Sequence, residues 1–292
     1  MPAMSSDLRL MAVLAHPDDE SLGIGSVLAR YAAEGVGVSL VTATRGEGGR
    51  FGLHRDGPEH PGPEALGRIR EQELRAAAAV LGVGDLSLLD YRDRELDRAD
   101  PVEAVARIAA HIRRVRPQVL ITFPPDGGYG HPDHIAISQF ATAAVVAAAA
   151  AASPADGTAA HAVSKLYYLI ETAESWAVYQ AAFKKLTSMV DGVERQAVPW
   201  PDWSITTEID ASDQVDVAWG AVECHHSQIR GYDGLKALTR EQHVAMWGHR
   251  RFYRAMSTVN GGRALEHDLF EGIRTPVASA GSTATGRSGS AS

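Results

Sequence analysis

The chain opens with an alternation that leaves few folds available. Leu8 to Ala15 is an apolar run with β character (Leu10, Met11, Val13, Leu14), broken by His16-Pro17-Asp18-Asp19-Glu20. Helical spacing follows through Leu22, Val27, Leu28 and Tyr31 and ends at Gly35, and Val36 to Thr42 reads as a second strand. Two apolar strands joined by one helix form a βαβ unit, whose parallel strands must be covered on both faces. The pattern repeats. Ala65 to Leu81 reads as a helix closed by Gly82, and Asp85 to Leu89 as a strand. Pro101 to Arg114 is a helix stopped by Arg116-Pro117, Val119 to Phe123 a strand, and Ile135 to Ala151 a helix. The expected fold is α/β, a Rossmann-like, doubly wound and mostly parallel sheet.

After Lys165 the pattern weakens. A strand (Leu166 to Ile170), a helix through Phe183, Lys184 and Leu186, a strand around Ile205 and a helix from Ser212 to His225 predict a smaller appended C-terminal α/β portion. The expected boundaries are 8–160 for the core that carries the site, 161–274 for a C-terminal portion of the same catalytic unit, and 275–292 for a disordered tail of Ser, Gly, Ala and Thr. Ser153 to Thr158 reads as a turn. Arg45 to Pro63, rich in Gly and Pro, reads as a long loop of the kind that carries function.

Composition narrows the function classes. Of 292 residues, 45% are apolar, enough for a real core, and the single Cys224 has no partner for a disulfide. A net charge of −8, from 36 acidic and 28 basic residues, argues against a surface that tracks nucleic-acid phosphates. Met1 to Arg9 lacks the basic start and apolar run of an export signal. The most apolar stretch, Ala141 to Ala152, is mainly alanine and well short of the ~20 residues of a bilayer span. A cytoplasmic protein with no membrane span and no nucleic-acid partner is expected. Nothing in the pattern specifies an oligomeric state.

In open α/β sheets, ligands bind outside the carboxyl ends of the strands. Two clusters of ionisable residues fall at such ends: His16-Pro17-Asp18-Asp19, and Tyr129-Gly130-His131-Pro132-Asp133-His134. A tight turn can aim His16 and Asp19 at one point, with His134 as a third ligand. Two imidazoles and one carboxylate leave an open position, as in a hydrolytic zinc site, and Fe2+ or another divalent ion also suits mixed N/O donors. Asp18 is placed to take a proton from the water as general base. His131 lies three residues before His134, on the same face of a helix. As imidazolium it could stabilise an oxyanion or protonate a leaving amine, with Asp133 orienting its ring. The same triad fits a non-haem Fe(II) oxygenase, or a non-catalytic carbohydrate-binding module whose metal only organises a contact. The βαβ pattern and the spare proton-transfer groups favour hydrolysis.

Ala15-His16-Pro17-Asp18-Asp19-Glu20 together with Gly130-His131-Pro132-Asp133-His134 resembles the PIG-L/LmbE-like family of zinc-dependent N-acetylglucosaminyl de-N-acetylases. Weaker matches are Thr44 to Gly49, Arg70 to Leu74 with Leu81-Gly82-Val83, and His226-Ser227-Gln228, so the likeness runs from about residue 8 to 230. It implies a hydrolase that removes an N-acyl group, acetyl in the first instance, from a small amino-sugar conjugate by attack of metal-activated water. It implies His16, Asp19 and His134 as Zn2+ ligands, Asp18 as general base, His131 as charged partner or acid, and Asp133 as its support. Tyr129 would help polarise the carbonyl oxygen, and Arg70 and Asp93 would grip sugar hydroxyls. Either Asp18 or His131 could protonate the leaving amine. His226 is placed at the rim of the site on its match.

Other features take plainer readings. Gly46, Gly48 and Gly49 are not followed by Gly-Lys-Ser/Thr, so they predict a mobile active-site loop, with Glu47 its one candidate substrate contact, and not a Walker motif. Cys224-His225-His226 could be a second metal cluster, although chance histidines at a helix end fit better. His243 and His249 read as surface or packing residues. Trp200, Trp203 and Trp247 could stack on a sugar ring, although core packing or partner contact is the default. His54 and His60 sit in the long loop and could reach the pocket if it folds over.

Overall fold

A computed structural model describes residues 7–52, 57–150, 158–182, 187–230 and 233–274. The expected helix through Phe183 and Leu186, the expected tail, His54 and nearly all of the turn after Ser153 lie outside the described residues.

The chain runs β1 (Arg9–Leu14), α1 (Asp19–Ala33), β2 (Gly37–Thr44), α2 (Pro63–Val80), β3 (Asp85–Tyr91), α3 (Pro101–Val115), β4 (Val119–Thr122) and α4 (Pro132–Ala149). It continues through β5 (Lys165–Ile170), α5 (Ala173–Ala182), β6 (Thr187–Val190), β7 (Val193–Gln196), β8 (Thr207–Asp210), α6 (Val215–Cys224) and β9 (His249–Ser257). Seven strands form one sheet in the order β3-β2-β1-β4-β5-β9-β8, while β6 and β7 pair apart as a hairpin. β3 to β5 along that order are parallel, and β9 is antiparallel to both β5 and β8. Strands β5, β8 and β9 of the C-terminal portion therefore extend the same sheet.

Burial follows from this topology. β1 and β4 are central, and Leu10, Met11, Val13, Val119, Leu120 and Ile121 are fully buried. Helices α1, α2 and α6 pack together, as do α3 and α4. That is the two-layer cover a parallel sheet needs. The alanine-rich stretch belongs to α4 as far as Ala149, and Ala136, Ala141, Ala144 and Ala148 face the core. Among the described residues no helix is long and apolar enough to cross a membrane. α4 begins at Pro132, earlier than the expected Ile135, because Pro132 occupies the first helical position and the His131 ring accepts the Asp133 N–H as an N-cap. The strand expected around Ile205 starts at Thr207, after a short 3-10 turn.

Strands β5, β8 and β9 are tied by one buried acid. The Glu266 carboxylate accepts from Lys165 Nζ (2.7 Å), Tyr167 Oη (2.6 Å), Thr207 Oγ1 (2.9 Å), Arg254 Nη1 (2.5 Å) and Asn260 Nδ2 (2.5 Å). Burial alone would raise its pKa, but Lys165 and the hydroxyl and amide donors outweigh it and hold it at about 2. Glu266→Ala would strand the Lys165 ammonium in the interior. The expected cost is roughly 3–5 kcal/mol, seen as a fall of ~10 °C in the thermal midpoint. A midpoint within ~2 °C of wild type would show that the hub contributes little.

Candidate metal and catalytic site

Strand order reverses between β1 and β4, since β2 and β3 lie on one side and β5 on the other. The carboxyl ends of β1 and β4 thus border the crevice where doubly wound sheets bind ligands. Both sequence clusters leave these ends. A cleft of about 1020 Å³ opens there, lined by His16, Asp18, Asp19, Tyr129, His131 and His134 among others.

His16 is 7% exposed, and each face of its ring is committed. Nε2 lies 3.0 Å from Asp133 Oδ2 and 3.2 Å from Asp93 Oδ1. Nδ1 lies 3.2 Å from His134 Nε2 and 3.6 Å from Asp19 Oδ2. His134 sets its other nitrogen, Nδ1, on the Gly127 carbonyl (3.2 Å), and its ring stacks on Phe123 at the end of β4 (3.9 Å between centroids). His134 Nε2 is 3.5 Å from Asp19 Oδ1. With Nε2–H of His16 on carboxylates and Nδ1–H of His134 on a carbonyl, the two remaining ring nitrogens face each other beside the Asp19 carboxylate, a contact that one shared proton or a metal cation satisfies. Separations of 3.2–3.6 Å match the edges of a coordination tetrahedron with arms of about 2.0–2.2 Å.

The electrostatics point the same way. Burial would lower the His16 pKa, but Asp93, Asp133 and Asp19 raise it well above the usual histidine value. A pocket that draws a proton onto this ring also attracts a metal cation. Burial would raise Asp19, but His134 and His16 hold it far below the usual carboxylate range. His134 falls to about 4 through burial, with the His16 charge adding to the fall. Among the described residues, two trios of donors come close enough to share an ion: His16, His131 and His134, and His16, Asp93 and Asp133. The carboxylates of the second trio also accept backbone N–H groups, as Asp19 Oδ2 does from Ala15 (3.2 Å) and His16 (2.7 Å). Asp133 accepts the backbone N–H of Arg94 (2.6 Å) and Leu96 (3.1 Å), and Asp93 that of Gly48 (2.9 Å).

Asp18 faces the cleft beside these groups at φ 106°. Its Oδ2 lies 3.2 Å from Arg70 Nη2, yet burial prevails over that cation and lifts the carboxyl to about 6. Arg70 is 3% exposed and also donates to the carbonyls of Gly46 and Pro17. These contacts explain two glycines of the following loop. A Cβ at Gly46, where φ is +65°, would come within 2.1 Å of Arg70 Nη1, and one at Gly49 within 2.7 Å. Residues 46–49 are packed around Arg70 and joined to Asp93, whose N–H reaches Glu47 Oε1 (3.0 Å).

Several expected placements change. Asp133 supports the His16 ring, and only its backbone N–H meets His131, at Nδ1 (3.2 Å). That bond puts the proton of a neutral His131 on Nε2. Burial and the neighbouring His16 and His134 push its pKa down to about 2, away from an imidazolium. Arg70, Asp93 and Glu47 each bond protein groups, yet Arg70 and Asp93 line the cleft, and Arg70 Nε and Glu47 Oε2 are buried without a protein partner. His226 is exposed, whereas the buried histidine is His225, and Gln228 lines the cleft. His225 Nε2 pairs with Glu20 Oε1 at 2.7 Å. Burial opposes the charge on both, and each partner's charge outweighs it, raising His225 and lowering Glu20. No metal-binding trio forms around Cys224 among the described residues. Trp247 is buried, Trp203 exposed, and Trp200 lines the cleft with its Nε1 on Asp126 Oδ2 (2.8 Å). His243 stacks on Trp219, His249 is exposed, and His60 accepts from Gly62 N–H.

Tyr129 sits on a turn, Gly127–Gly130, whose three glycines all have positive φ. Burial pushes its hydroxyl well above the usual value, so it stays a donor. The β6–β7 hairpin packs on that turn. With Trp176, Tyr179, Met189 and Trp200 it brings apolar surface from the C-terminal portion to the cleft, facing a rim that includes Arg94 and Arg98.

The sequence profile of the PIG-L family, described as GlcNAc-PI de-N-acetylase, matches residues 11–145. A 1D-myo-inositol 2-acetamido-2-deoxy-α-D-glucopyranoside deacetylase from Kineococcus radiotolerans is 35% identical over 91% of this chain and 83% of its own. Among solved structures, a conserved protein from Thermus thermophilus matches with a TM-score of 0.62 at 27% identity, over 87% of this chain and 97% of that one. A 4-carboxy-2-hydroxymuconate hydratase from Pseudomonas putida matches with a TM-score of 0.67 over 88% of this chain and 100% of its own. Its identity is 19%, and its likeness bears on the fold alone.

Proposed function

Because the chain belongs to the PIG-L family of de-N-acetylases, we propose that it hydrolyses the acetamide of a glucosamine–inositol conjugate of the kind its relatives are named for. It is a hydrolase acting on an amino-sugar amide, and its site is suited to a divalent metal ion. The observation that carries this reading is the convergence of His16 Nδ1, His134 Nε2 and the Asp19 carboxylate beside Asp18.

On this reading His16, Asp19 and His134 hold the ion, and two nitrogens with one oxygen make zinc the first choice. When bound, such an ion lowers the pKa of a coordinated water to ~7 and polarises a carbonyl oxygen. Asp133 and Asp93 keep the His16 proton on Nε2 and its Nδ1 lone pair inward. Asp18 takes the proton of the attacking water as the new C–O bond forms. The same carboxyl returns that proton to the nitrogen as the C–N bond breaks, leaving acetate and a free amine. Tyr129 Oη and His131 Nε2–H donate to the amide oxygen as charge develops on it. His131 works as a neutral donor, because Asp133 N–H occupies its Nδ1.

A non-haem iron oxygenase or a purely organising metal would use the same triad. Neither accounts for a carboxylate fixed by Arg70 and a ring fixed by the Asp133 N–H at one opening. We take 8–160 and 161–274 as one catalytic unit, since α5 and the hairpin wall the same cleft, and we place the protein in the cytoplasm. Dialysis against a chelator tests the metal. Elemental analysis should find about one zinc per chain before dialysis, activity should vanish with it, and zinc should restore the rate. Full activity in protein shown to be metal-free would end this reading.

A further inference from the structure

Asp18 occupies a backbone conformation that something must hold. At φ 106° it lies in the left-handed half of the map, which a non-glycine residue rarely adopts. It is also the residue whose carboxylate direction matters most. Its N–H donates to Glu20 Oε2 at 3.0 Å. The other oxygen of Glu20 receives Ser21 Oγ at 2.6 Å and His225 Nε2 at 2.7 Å. Glu20 is 0% exposed and His225 1%, and neither lines the cleft.

A carboxylate that only capped α1 would sit in water at no such desolvation cost. This one is buried and completed by a histidine from the far end of α6. On the opposite side, Arg70 bonds the Pro17 carbonyl and the Asp18 carboxylate. The Pro17–Asp18 segment is therefore gripped from two directions, by α2 and by the C-terminal portion.

We infer that Glu20 and His225 are positioning residues for the reaction: through the Asp18 N–H they fix the left-handed backbone that points the Asp18 carboxylate into the cleft. The inference rests on the reading of Asp18 as general base. It also gives α6 a part in the chemistry without any contact to substrate, and it explains a buried pair that metal binding does not use.

The test is a double-mutant cycle on the metal-loaded enzyme. Glu20→Ala and His225→Ala are each made alone and in an Asp18→Asn background, with kcat, KM and metal content read for all. Misplacing a reacting group by about 1 Å can cost ~10²-fold, so each single change should lower kcat ~10–100-fold with KM and metal content held. In the Asp18→Asn background neither should cost more than about twofold, because the base they position is already gone. Glu20→Gln, which still accepts the Asp18 N–H, should recover most of the rate. His225→Phe, which fills the space without the bond, substitutes if the alanine variants do not fold. Losses that multiply with that of Asp18→Asn, loss of metal, or no loss in kcat would overturn the inference. An Asp18→Asn enzyme of full rate would sink the base assignment itself, and the inference with it, and is recognisable from that single variant.

Discussion

Asp18→Asn is expected to lower kcat by about 10²–10⁴, the contribution of a positioned general base, while metal content stays at the wild-type level. The amide retains the shape of the carboxylate and an oxygen for Arg70, but it cannot take the proton of the water. Burial places the Asp18 pKa at about 6 despite Arg70, and this fixes the sign of the pH dependence. A base works deprotonated, so kcat/KM should fall tenfold per pH unit below that pKa. A cation beside it can only move the limb to lower pH. Asp18→Asn should abolish the limb. Stability should run the other way: the folded state holds the proton more tightly than the unfolded chain, so this residue's contribution declines as pH rises from 3.8 to about 6. Asp18→Asn should therefore be at least as stable as wild type at neutral pH. A kcat within threefold of wild type, or an acidic limb that survives the substitution, would remove Asp18 from the chemistry.

Asp133→Asn should be nearly as damaging, although this side chain is fully buried and its carboxylate lies behind the His16 ring. All three partners of its carboxylate are donors: His16 Nε2–H, Arg94 N–H and Leu96 N–H. An asparagine amide must set its NH2 against one of them. If it meets His16, the ring proton moves to Nδ1 and fills the lone pair that faces His134 and Asp19. Wrong-tautomer substitutions of this kind cost on the order of 10⁴ in kcat, and loss of a carboxylate behind a ligand costs ~10–100-fold in metal affinity. Metal titration and kcat on the same preparation decide it. Unchanged affinity and rate would mean that the His16 tautomer is set elsewhere, and would favour the Asp93 side of the ring.

The sequence is legible where structure is local. βαβ periodicity carries β1 to α4, and the two motifs at strand ends mark the crevice because a turn leaving a parallel strand has one direction to go. Periodicity fails after Lys165 for physical reasons. β9 contains Arg250, Arg251 and Arg254, which bond Glu171, Glu208 and Glu266 of neighbouring segments, so its pattern lacks clean apolar alternation. The β6–β7 hairpin is mostly exposed and leaves no apolar signature. Within the site, residue types are readable and side-chain partners are not. Arg70, Asp93 and Glu47 read as substrate contacts in a linear string, and what the string does not show is that each also bonds protein groups around Asp18, His16 and the glycine loop. His226 carries the motif match while its neighbour His225 reaches Glu20, a choice set by the turn after α6. The acid directly after His16-Pro17-Asp18-Asp19 was the available signal for Glu20.

The measurement that bears most directly on this account is acetate release by the zinc-loaded enzyme from the N-acetylglucosamine–inositol conjugate, run beside free N-acetylglucosamine and N,N'-diacetylchitobiose. The predicted result is one acetate and one free amine per conjugate consumed, at the highest kcat/KM of the three and abolished by chelator. Faster release from one of the others would keep the hydrolase and change its substrate. No acetate and no free amine from any of them, with about one zinc bound per chain, would contradict the deacetylase assignment.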